Sequence, residues 1–142
     1  MNGLQRAESV LKEGGYTCVL VCGDKVLTSN ESGVAPLIKF IESGKNFTGC
    51  FAADKIVGKA AALLYAHMGV KAVFAEVLSA SAKRVFEDLG IKFSFGTLTE
   101  GIINRRGDGP CPMELAVSEI SAPVDAFKAV KETALKLAKA HA

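Results

Sequence analysis

A chain of 142 residues with 17 Lys and Arg against 15 Asp and Glu carries a formal net charge of +2, so it lacks the basic footprint that general nucleic-acid binding requires. Hydrophobic residues make up 49% and charged residues 23%, which excludes a disordered chain and supplies apolar surface for a real core. This length predicts a single domain, 1–142; no apolar run approaches the roughly 18 residues of a membrane span, and the opening MNGLQRAESV has neither a basic start nor a long apolar region, so a cytoplasmic protein is expected.

Leu4, Ala7, Val10 and Leu11 give one apolar stripe along a first helix that stops at Gly14 and Gly15. Residues 17–22 and 25–28 read as a hairpin around the tight turn Gly23-Asp24. A polar run, 29–33, leads to a helix with Val34, Leu37, Ile38 and Ile41 on one face and Pro36 in its first turn. The next stretch, TGCFAADKIVGKAAALLYAHMG, reads as a buried strand, 50–53, feeding straight into a helix capped by Asp54 and ended by Gly69.

Residues 71–78 form a nearly continuous apolar run of the kind found in an interior strand, interrupted by Glu76. Ser79 or Ser81 caps the following helix, whose inner face is Ala82, Val85, Phe86 and Leu89, with Gly90 as its exit. Ile91, Phe93 and Phe95 alternate as a fifth strand. The segment NRRGDGPCP, 104–112, is a loop by composition. A short helix, 113–119, and a longer one, 123–140, complete the chain. Strands three, four and five are separated by helices, so right-handed crossovers make them parallel, in an α/β fold with a mixed sheet and helices on both faces.

Cys18, Cys22, Cys50 and Cys111 form no metal-type C-x-x-C pair, and the first three lie in apolar strand-like runs, where they read as core thiols of a reduced protein.

The element order, together with DKIVGKAAALL, GVKAVFAEVLS and NRRGDGPCPMELAV, resembles a small prokaryotic family of unknown function whose members look like cytidine deaminases in fold. The resemblance spans nearly the whole chain and implies a three-layer α/β/α sandwich with strand order 2-1-3-4-5. Its helix before the fifth strand is similar to the tRNA adenosine deaminase branch. Zinc deaminases carry H-x-E or C-x-E at the helix after strand three and P-C-x-x-C at the helix after strand four. Here those places hold Asp54-Lys55-Ile56-Val57 and Leu78-Ser79-Ala80-Ser81. Phe74-Ala75-Glu76 and Pro110-Cys111-Pro112-Met113-Glu114 imitate the motifs, but Phe cannot bind zinc and only Cys111 and Glu114 would be ligands. No metal and no cofactor are expected.

Helix starts at the carboxyl ends of parallel strands offer backbone donors to an anion, which makes Asp54, Lys55, Lys59 and Ser79 candidate ligand residues. Asn104, Arg105 and Arg106 add a loop suited to a phosphate or carboxylate. The bland alternatives are a solvated face for the two lysines, close packing for Gly58 and a plain surface connection for 104–109. The match to a Walker A loop is superficial, since Ala53 and Ala60 stand where it needs Gly and Ser or Thr.

Cys111 before Pro112 reads either as a helix-capping thiol nucleophile or as a small cap, and Glu114 either as an acid-base group or as a dipole partner. Three readings follow. The first is a deaminase-like domain without zinc that binds a small polar, anionic or nucleotide-like molecule. The second is a non-zinc hydrolase or transferase using Cys111 or Asp54. The third is a structural homo-oligomer.

Overall fold

The computed structural model describes residues 2–102 and 111–140. Its element order is α1 (Gly3–Gly14), β1 (Cys18–Cys22), β2 (Lys25–Ser29), α2 (Ala35–Glu42), β3 (Phe51–Val57), α3 (Lys59–Met68), β4 (Ala72–Ser79), α4 (Ala80–Leu89), β5 (Lys92–Thr99), α5 (Pro112–Ala116) and α6 (Pro123–Ala140). The five strands form one sheet in the order β2-β1-β3-β4-β5, the expected order. β1 runs antiparallel to both β2 and β3, while β3, β4 and β5 are parallel.

Alternation along the strands sends side chains to two cores. Val19, Val21, Ala53 and Phe74 meet Ala7 and Leu11 of α1 on one face. Leu20, Ala52, Val73 and Ala75 meet the buried residues of the other helices on the opposite face, where α3 packs against α2, α4, α5 and α6. A helix packed on several sides must be apolar nearly all round, and α3 is: Ala60 to Tyr65 are buried without interruption.

The sequence expectation departs from the structure most at β3. The strand does not end at Ala53; it continues through Val57, and the helix begins only at Lys59 with Gly58 as its N-cap. Asp54 is therefore a strand residue and not a cap. Partners on both sides hold this stretch extended, with Asp54 opposite Cys18 of β1 and Val57 opposite Leu78 of β4, and that pairing overrides the local capping signal. β5 runs to Thr99, beyond the alternation that ends at Phe95.

Cys22 and Cys50 are not thiols but a disulfide joining the end of β1 to the residue before β3. Their places next to the facing pair Val21 and Phe51 on antiparallel strands bring their Cα atoms to 4.6 Å, a separation at which bonding is favourable. Cys18 remains a buried thiol. No helix among the described residues is long and apolar enough to cross a membrane.

Candidate functional site

The carboxyl end of β3 opens onto a cleft of about 1020 Å³. Its walls come from the start of α2, the start of α3, Ile102, residues 111–114 and the last turns of α6, and they are largely apolar: Ile38, Ile56, Ala61, Met113 and Leu137 are among them. Thr17, Ser32, Asp54, Lys55 and Glu114 bring the hydroxyl and charged groups that shape its chemistry.

Asp54 is the unusual group. It is only 6% exposed, and its carboxyl accepts the Tyr65 hydroxyl at 2.7 Å and the Ile56 backbone N–H at 3.3 Å. The phenol's single proton goes to Asp54, so the Cys18 thiol, 3.3 Å from the Tyr65 oxygen, donates to it in turn. Cys18, Tyr65 and Asp54 thus form one buried hydrogen-bonded row reaching the cleft. Burial raises the Asp54 pKa from 3.8 to about 7, against the opposing effect of the hydrogen bonds from Tyr65 and the backbone. Burial, and then the Asp54 charge, push the Tyr65 hydroxyl and the Cys18 thiol well up, so both stay protonated at neutral pH.

Glu114 occupies the start of α3. Gly58 has no side chain with which to cap the helix, and the Glu114 carboxylate does so from α5, accepting the backbone N–H groups of Lys59 at 2.7 Å and Ala60 at 2.8 Å. A Cβ at Gly58 would sit 2.3 Å from Glu114 Oε1, so this approach needs glycine.

These contacts redistribute the expected ligand residues. Lys59 sends its ammonium to the Ser118 carbonyl at 3.0 Å. Ser79 is fully buried and caps its own helix through Ala82 N–H at 3.1 Å, outside the cleft. An anion bridging the α3 and α4 starts would find the first helix end taken by Glu114 and the second by Ser79. Lys55 does line the cleft and is exposed, while Asn104, Arg105 and Arg106 lie outside the described residues.

Cys111 also lines the cleft, and its backbone N–H is tied to the Ile102 carbonyl at 3.0 Å. It occupies the N-cap position of α5, but its sulfur makes no capping bond and that helix has only five residues. His67, in the last turn of α3, stacks on Phe127 at 5.4 Å between ring centroids. Among the described residues no three His, Cys, Asp or Glu side chains come together as a metal-holding group.

Sequence reasoning missed Tyr65 and Cys18. The signals were a tyrosine on an otherwise apolar helix and a cysteine facing Asp54 across the sheet, and the second becomes visible only once the register is known.

A mixed five-stranded sheet wrapped by helices, with a cleft where a parallel strand meets its helix, defines an α/β protein with its candidate site in the usual place for such sheets. The family model TM1506, a domain of unknown function (DUF1893), matches residues 6–134, and the chain belongs to that family. It is similar to the crystal structure of a DUF1893 family protein, TM1506, from Thermotoga maritima, with 26% identity and a TM-score of 0.84 over 92% of this chain and 89% of that one. No curated protein matches.

Proposed function

We propose that this DUF1893 chain is a small-molecule-binding domain on a cytidine deaminase-like scaffold without a zinc centre. The cleft takes a polar, nucleotide-like ligand. Its ring lies against the apolar wall, a hydrogen-bond donor on the ring faces Asp54, and an anionic substituent at the mouth meets Lys55. The observation that carries this reading is the buried Asp54 carboxyl in the wall of a mostly apolar cleft, since ligand sites combine apolar lining with a few fixed polar groups. The strand order and the parallel run β3-β4-β5 support the scaffold.

A second reading, in which Asp54 moves a proton during hydrolysis or group transfer, is favoured by its pKa of about 7, where a general acid or base works best. Cys111 lies on the same cleft and is the candidate nucleophile.

A thermal-shift screen of nucleosides, nucleotides and related amino-heterocycles tests the binding reading, repeated on Asp54→Asn and Lys55→Ala. A ligand at a hundred times its dissociation constant stabilises the native state by about 2.7 kcal/mol. The expected result is a compound whose effect is lost in Asp54→Asn and reduced in Lys55→Ala. No stabilising compound, or one indifferent to both substitutions, overturns the assignment.

A further inference from the structure

β5 is an edge strand of eight residues, and among the described residues no strand lies on its outer side. Such an edge presents unpaired backbone donors and acceptors, and monomeric proteins blunt it with prolines or mid-strand charges. The run KFSFGTLT has no proline, and its one charge, Lys92, stands at the very start. Phe95 is 38% exposed, Leu98 45%, and α4, which packs against β5, leaves Leu89 45% exposed beside it.

We propose that a second copy of this chain covers this edge: two β5 strands pair antiparallel about a twofold axis through Gly96, making one continuous sheet across a dimer. The charge pattern selects the occupant and the register. With Gly96 facing itself, Lys92 of each copy stands opposite Glu100 of the other, so the contact carries two symmetric ion pairs at its ends. Between them Phe93 faces Thr99, Phe95 faces Thr97 and Ser94 faces Leu98, which sets aromatic rings against β-branched side chains, a favourable cross-strand combination. A shift of one residue in either direction separates both charge pairs. An unrelated peptide has no reason to match both ends, whereas two copies do so by symmetry. Gly96 is held as glycine from the β4 side, where a Cβ would stand 2.9 Å from the Glu76 carbonyl oxygen. The inference is independent of the cleft.

Sedimentation velocity over a wide concentration range tests it on the whole chain. The expected result is a reversible dimer that Lys92→Glu weakens about tenfold, that Glu100→Lys weakens equally, and that the double variant Lys92→Glu, Glu100→Lys restores. Leu98→Lys, at an exposed edge position, should leave a monomer, with unchanged circular dichroism showing that the fold is intact. A monomer at every concentration overturns the proposal. So does a dimer indifferent to Lys92→Glu and Leu98→Lys, or a double variant as weak as the singles.

Discussion

Two helices begin at the same edge of the sheet, α3 after β3 and α4 after β4, and they are closed in opposite ways. The start of α4 is local: Ser79 is the last residue of its strand, is fully buried and caps the helix three residues on. The start of α3 has no such residue, and its donors are met by a carboxylate 54 and 55 residues further along the chain. The first arrangement leaves no opening. In the second, Gly58 keeps the helix start bare, Glu114 brings α5 across it, and a cleft remains beside Asp54. A helix end completed by a distant segment makes room for a ligand in a way that a self-capped one does not.

The largest expected difference between the two starts is in pH dependence. Asp54 has its pKa raised to about 7 in the folded state from 3.8, so between those values the native protein holds a proton that the unfolded chain does not. This contribution to stability is fully present below the lower value and is lost as pH rises through the upper one, with a span on the order of 4 kcal/mol. Denaturant melts at pH 5 and pH 8 should show it as the difference between the wild-type protein and Asp54→Asn, in which this dependence disappears. Ser79→Ala should leave the dependence unchanged, and if Asp54→Asn did so too, the contrast between the two starts would fail.

Removing the distant cap comes next. Glu114→Ala leaves two helix donors without their charged acceptor and should cost about 2 to 3 kcal/mol. Gly58→Ala should act in the same direction, because its methyl group would displace the same carboxylate. Ser79→Ala should cost less, about 1 kcal/mol, as expected for a single neutral cap. Equal losses at Ser79 and Glu114 in equilibrium unfolding would remove the asymmetry.

The smallest effect on stability belongs to Cys111. It is the partly exposed free thiol on the cleft, whereas Cys18 is buried and Cys22 and Cys50 are bonded to each other. Brief alkylation without reductant, followed by peptide mapping, should label Cys111 first. A ligand in the cleft should slow that labelling, and labelling that is blind to every stabilising ligand would place Cys111 outside the site.

Sequence patterns carried the element order, the parallel run and a serine cap at 79 or 81 because each rests on short-range signals: strands alternating with helices, and a serine just before a helical period. The strand order itself came from the family resemblance, because no short-range signal says which strands are neighbours. The β3 unit misled for a physical reason. A carboxylate after an apolar run and before a helical period reads as an N-cap, and only the sheet partners Cys18 and Leu78 reveal that the chain is still extended. Glu114 was legible as a dipole partner, yet it serves α3 as well as lying in its own α5, and no spacing rule reaches so far along the chain. The disulfide was hidden likewise, since Cys22 and Cys50 become neighbours only when β1 and β3 pair.

The account rests most heavily on Asp54 as a buried, cleft-lining carboxyl held by Tyr65, and its carboxyl carbon can be followed directly by NMR as pH is changed. The predicted midpoint is about 7. Tyr65→Phe should move it higher still, because the phenol's hydrogen bond favours the charged form. A midpoint at the ordinary carboxylate value of 3.8, unmoved in Tyr65→Phe, would contradict the account.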